Sequence, residues 1–122
     1  MNRERQNILI VDDSTIFTKR LSALLKESGS EDEINTVGNY EEALQSLAAY
    51  KPDLVFLDIH LHNKSGIDLL RVIRLSQWNC KVIMLTNETK KAYRQQCERL
   101  GSSGFLDKSN DFESIPELVK ML

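Results

Sequence analysis

Two kinds of hydrophobic spacing alternate along the chain. Asn7-Ile8-Leu9-Ile10-Val11 is an apolar run that stops at Asp12-Asp13. A short run of this kind suits a strand buried on both faces, as in a parallel sheet. Ile16, Phe17, Leu21, Leu24 and Leu25 then fall at helical spacing, with Ser14 as the N-cap and Gly29 past the end. Ile34 to Val37 alternates and reads as a strand near a sheet edge. Ala43, Leu44, Leu47 and Ala48 form a second helical stripe, closed by Lys51-Pro52. Leu54 to Leu57 is another buried strand, ending in Asp58. Ile67, Leu70, Ile73 and Arg74 lie along a third helix that starts after Ser65-Gly66. Val82 to Leu85 is a further buried strand, ending at Thr86. Thr89 to Leu100 reads as a polar helix closed by Gly101, and Gly104-Phe105-Leu106 as a last short strand ending at Asp107-Lys108. Ser114-Ile115-Pro116-Glu117 has the form of a capping box, followed by Ile115, Leu118, Val119 and Leu122 at helical spacing.

Strand and helix therefore alternate five times. Such strands pair in parallel through right-handed crossovers, with helices covering both faces. The expected fold is a single doubly wound (βα)5 domain of the α/β class over residues 1–122, with a five-stranded parallel sheet. In such a sheet the carboxyl ends of the strands share one edge, where ligands bind. Asp12-Asp13, Asp58, Thr86 and Lys108 all stand at strand ends. Residues far apart in sequence are thus expected to converge as three acids, one hydroxyl and one lysine.

Composition narrows the function classes. The 122 residues are 41% hydrophobic and 28% charged, as expected for one ordinary globular core. A formal net charge of -2 gives no electrostatic case for nucleic acid or a membrane surface as a partner. No apolar stretch approaches the roughly 20 residues that span a bilayer, and MNRERQ does not read as a signal peptide. Cys80 and Cys97 lack metal-ligand spacing and are expected to be small buried or half-buried thiols in a reducing cytoplasm.

The expected cluster has a definite chemistry. Two carboxylates about 4 Å apart repel by roughly 4 kcal/mol at an intermediate dielectric. One lysine does not neutralise three acids. A hard divalent cation does, and oxygen-only ligands suit Mg²⁺. A carboxylate beside that cation and an ammonium is placed to attack a phosphoryl group and form an acyl phosphate. A hydroxyl such as that of Thr86 can donate a hydrogen bond to the product.

These residues resemble the receiver domain of two-component response regulators over essentially the whole chain. The matching elements are ILIVDDS at 8–14, DLVFLDIHL at 53–61 with Gly66 beyond it, VIMLTNE at 82–88 and GFLDKS at 104–109. The resemblance implies that Asp58 is the phosphoacceptor and that Mg²⁺ is held by Asp12, Asp13, Asp58 and the backbone carbonyl of His60. It implies that Thr86 and Lys108 read the phosphoryl group and that Phe105 is the switch aromatic. It further implies a cytoplasmic signalling switch rather than an enzyme. The donor would be a histidine kinase or phosphotransfer protein. The downstream protein would bind the face made by the fourth helix, last strand and last helix, with homodimerisation as a further outcome. No direct contact with nucleic acid or membrane is implied.

The chain departs from the family pattern at four positions. His62 stands where proline is common, and Ser109 follows the lysine where a proline usually makes a cis peptide. Asn87 replaces a very small residue, and Phe105 lacks a tyrosine hydroxyl. Asn87 is expected at the mouth of the site, where it would either narrow the approach of water to the acyl phosphate or point into solvent without effect.

Other readings compete. Asp12 and Asp13 could cap the first helix, Lys108 could be a surface charge, and Phe105 could be core packing. His60 and His62 read as solvated loop residues, and Lys90, Lys91, Arg94 and Arg99 as a solvated helix face. The chain could be the N-terminal receiver fragment of a DNA-binding transcriptional regulator, or a receiver that only docks. An aspartate-nucleophile phosphohydrolase would need a second acid two residues after the nucleophile, where this chain has His60.

Overall fold

The apolar runs at Ile8–Val11, Leu54–Leu57 and Val82–Leu85 are buried along their whole length, because alternate residues of each face opposite sides of one sheet. A computed structural model describes residues 5–28, 31–62, 64–88 and 90–122. The elements are β1 (Asn7–Val11), α1 (Thr15–Glu27), β2 (Glu33–Val37), α2 (Tyr40–Tyr50) and β3 (Leu54–Asp58). There follow α3 (Gly66–Leu75), β4 (Lys81–Thr86), α4 (Lys91–Arg99), β5 (Gly104–Asp107) and α5 (Ile115–Met121). The sheet order is β2-β1-β3-β4-β5, and every pairing is parallel. This is the doubly wound (βα)5 arrangement expected from the alternation of patterns.

Two cores flank the sheet. Ile8, Ile10, Phe56 and Ile83 pack with Phe17, Leu21 and Leu25 of α1 and with Ile115 and Val119 of α5. Leu9, Val11, Leu57 and Met84 pack on the other side with Ala43 and Leu47 of α2, Leu70 and Ile73 of α3 and Cys97 of α4. Cys80 and Cys97 are both free and buried. Strand β2 lies at an edge, which explains its weaker, partly exposed pattern. No helix among the described residues is long and apolar enough to cross a membrane.

Several local expectations are corrected. Ile16 is 74% exposed. The buried stripe of α1 follows Phe17, Leu21 and Leu25, and Ile16 lies one residue, about 100°, off that line. Ala48 is exposed for the same reason, since α2 buries Ala43 and Leu47. The capping box at Ser114 does not form. A 3-10 turn over Phe112–Ser114 precedes α5, and the Ser114 hydroxyl donates to the Asp111 carbonyl instead (2.8 Å). Gly29 and Thr89 lie outside the described residues. Arg74, which shares the stripe of α3, carries its guanidinium to the carbonyls of Cys80 (3.0 Å) and Gly101 (2.8 Å) and ties the end of α3 to the loop after α4.

Candidate functional site

The parallel register brings the strand ends together. Val11 is opposite Leu57, Asp58 opposite Leu85, and Thr86 opposite Asp107. Backbone bonds extend the ladders past the strands: Asp12 N–H donates to Val37 (3.1 Å), Ile59 N–H to Leu85 (3.2 Å) and Lys108 N–H to Thr86 (2.9 Å). These bonds fix where the side chains of the next residues start.

Carboxylate oxygens of Asp12, Asp13 and Asp58 lie within 4.8 Å of one another. Asp12 and Asp58 are buried and Asp13 is exposed. Lys108 Nζ stands between the two buried acids, 2.5 Å from Asp12 Oδ2 and 3.4 Å from Asp58 Oδ2. Asp12 Oδ1 accepts the N–H of Ser14 (2.8 Å), and Ser14 caps α1 through its own Oγ and the N–H of Phe17 (3.2 Å). The cap is therefore Ser14, and both acids of the pair are left for the cluster. Asp12 Oδ2 faces the ammonium without a directed hydrogen bond.

Asp58 Oδ1 accepts the N–H of His60 (3.2 Å). Burial pushes the Asp58 carboxyl up to about 6, and the charge of Asp12 adds to this; Lys108 and the His60 N–H pull the other way. The acid at the tip of β3 is therefore costly to ionise in the absence of a further positive charge. Thr86 is fully buried, and its Oγ1 accepts the N–H of Glu88 (2.9 Å), which leaves the hydroxyl hydrogen to donate. The donor set is all oxygen, and three acids face one lysine. These features fit a hard cation such as Mg²⁺.

The loop after β3 depends on Gly66. A Cβ there would overlap the backbone carbonyl of Asp58, and the Gly66 N–H donates to the Ile59 carbonyl (2.6 Å). Gly66→Ala is expected to destabilise the protein by at least about 2 kcal/mol, since the loop or the Asp58 backbone must move. Urea unfolding of both proteins measures this, and a midpoint unchanged by the substitution would show that the approach is not tight.

The other positions fall around this centre. Asn87 is exposed and lines a cleft of about 460 Å³ together with Ile16, Phe17, Lys108 and Ser109. His60 and His62 are both exposed; His60 Nε2 lies 3.8 Å from Glu88 Oε1, and its ring meets that of Tyr93 edge-on. Phe105 is buried, opposite Met84 in the register, with the Arg94 guanidinium 4.8 Å from its ring centre. The Lys108–Ser109 peptide is trans, as are all those described. The turn after β5 is built from acids instead: Asp107 Oδ1 accepts the N–H groups of Ser109 (2.8 Å) and Asn110 (3.0 Å), and Asp111 Oδ2 accepts that of Asp107 (2.8 Å). The run Asp-Lys-Ser-Asn-Asp carries this signal in its Asx-turn residues, which the reading of the strand end alone passes over.

Comparison with known proteins gives a consistent assignment. The profile of the response regulator receiver domain matches residues 8–120. A protein-glutamate methylesterase/protein-glutamine glutaminase of Bacillus subtilis is 35% identical over 88% of this chain and 30% of its own length. The sensory transduction protein LytT of the same organism is 30% identical over 93% of this chain and 46% of its own. The chain thus spans less than half the length of these two relatives. A CheY-like response regulator receiver domain protein from Methanospirillum hungatei superposes with a TM-score of 0.87 at 23% identity, over 97% of this chain and 93% of that one.

Proposed function

The chain belongs to the response regulator receiver domain family of two-component signalling, and on that premise we propose that Asp58 is its phosphoacceptor. The observation that carries this is the burial of Asp58 at the carboxyl edge of the sheet, with the Lys108 ammonium between it and Asp12. Residues 1–122 act as one receiver unit. The donor is a histidine kinase or phosphotransfer protein. The Asp58 carboxylate attacks phosphorus as the donor's P–N bond breaks, and the departing imidazole takes up a proton. Lys108 faces the oxygens of the transferred group, and the Thr86 hydroxyl donates to one of them. Asp12, Asp13, Asp58 and the His60 carbonyl would hold Mg²⁺, which when bound offsets charge on the transferred group.

The protein works in the cytoplasm as a switch. The phosphorylated form engages a downstream protein, or a second copy, through α4, β5 and α5. The esterase chemistry named for one relative is not assigned to this chain, which matches 30% of that relative's length. A further relative named as a DNA-binding response regulator, MtrA of Mycolicibacterium smegmatis, is 35% identical over 73% of this chain and 38% of its own length, and it supports a second reading, in which the chain is the receiver portion of a longer DNA-binding regulator. Mg²⁺-dependent gain of one phosphoryl group from acetyl phosphate, read by intact mass, tests the switch. No gain with metal present would count against it, and steady hydrolysis of phosphate esters would point to a phosphohydrolase.

Asn87 tunes the lifetime. Its exposed side chain stands at the cleft beside Lys108, on the path by which water reaches the acyl phosphate. Asn87→Ala is expected to speed both phosphorylation by small donors and loss of the phosphoryl group severalfold, with stability changed by less than about 0.5 kcal/mol. The decay after donor removal, at fixed Mg²⁺, is the measurement. Identical rates in the two proteins would remove Asn87 from this role.

A further inference from the structure

Lys108 is held by more than its acids. Its Nζ lies 4.6 Å from the centre of the Phe17 ring. That ring is itself fixed. It is buried on α1 and packs edge-on against Phe112 at 5.9 Å, and the Arg20 guanidinium covers the Phe112 ring at 4.6 Å. On the backbone side, the carboxylates of Asp107 and Asp111 pin the turn that carries Lys108. The lysine stem is thus anchored at its base by the acid turn, and the ammonium stands between two carboxylates and an aromatic face.

We propose that Phe17 is a positioning residue for Lys108, holding the ammonium over the site by a cation–π contact. The inference deepens the phosphoacceptor reading and rests on it for its consequence. Asp12 and Asp58 attract the ammonium, but they are also the groups a cation and a phosphoryl group would engage. A neutral ring does not compete for either. Its face attracts the ammonium whatever the acids are bound to. The ring therefore keeps Lys108 aimed at the transferred oxygens when its carboxylate partners are taken. Small displacements of such a group are costly in rate.

The test compares Phe17→Leu, which keeps an apolar side chain without the ring, with Phe17→Tyr, which keeps the ring. Two readouts are taken on the full chain. The first is the position of the Lys108 ε-methylene signals by NMR, shifted upfield by the ring face in the wild type. The second is the phosphorylation rate at saturating acetyl phosphate and Mg²⁺. The account expects the leucine variant to lose the upfield shift and to slow by about fivefold, and the tyrosine variant to keep both properties. A wild-type rate in the leucine variant overturns the proposal, and so does equal slowing in both variants, which would mark a packing effect. If the wild type takes up no phosphate, the functional reading fails, and the NMR signal alone judges the clamp. Lys108 signals at their ordinary position in the wild type then overturn it.

Discussion

Asp58→Asn is expected to abolish phosphoryl uptake and, at neutral pH without divalent cation, to make the protein more stable. Asparagine keeps the shape of the side chain at the tip of β3 and removes the charge that burial and Asp12 oppose. The Asp58 carboxyl is raised from 3.8 to about 6 in the folded protein. Between those values the native state holds a proton that the unfolded chain has released. The stability this proton contributes is present below about pH 4 and is lost as pH rises through about 6. At pH 7 the ionised carboxylate therefore costs up to about 3 kcal/mol. That figure is already net of the attraction of Lys108, so a gain of about 1–3 kcal/mol is expected. A change of 1 kcal/mol moves the melting midpoint by roughly 4 °C in a domain of this size. Thermal melts of both proteins from pH 4 to 8 with a chelator present measure it. The curves should converge near pH 4, draw apart as pH rises to about 6 and stay a constant distance apart above it, and a less stable variant at pH 7 would contradict the account of the charge cluster.

Mg²⁺ is expected to stabilise the wild type and not Asp13→Ala. A ligand bound only by the native state, at a hundred times its dissociation constant, adds about 2.7 kcal/mol. Asp13 is the exposed member of the cluster, so its removal leaves the buried pair and Lys108 in place and isolates the loss of one ligand. The effect should fade below about pH 6, where Asp58 takes up a proton and no longer offers an anionic oxygen. Melts at millimolar Mg²⁺ and with chelator are to be compared at pH 7.5 and 5.5. Coincident wild-type melts at saturating metal would mean that the acids serve some other purpose.

The fold was legible because its strands are buried on both faces. Ile8–Val11, Leu54–Leu57 and Val82–Leu85 read as unbroken apolar runs, and each ended in a polar residue that the parallel register carries to one edge. What was not legible has physical reasons. The single-residue offset of Ile16 from the stripe of α1 does not show in a window of apolar residues. Ser114 fits a capping box by spacing, but the Asp111 carbonyl takes its hydroxyl. The spacing of Gly66 from Asp58 was visible, while its cause, close approach to the Asp58 carbonyl, is a contact between backbone segments. The meeting of Phe17 with Lys108 joins the first helix to the last loop, and no local pattern records it. The pairing of His60 with Glu88 is likewise between exposed loop residues without periodicity.

The central claim is that the phosphoryl group is carried by Asp58, and chemical trapping tests it most directly. An acyl phosphate on aspartate is reduced by borohydride to homoserine. Protein treated with acetyl phosphate and Mg²⁺, then reduced and digested, is mapped by peptide mass. The account predicts homoserine at position 58 in the wild type, in a Mg²⁺-dependent amount, and none in Asp58→Asn. Homoserine at position 12 or 13, or none anywhere while phosphate is taken up, would contradict it.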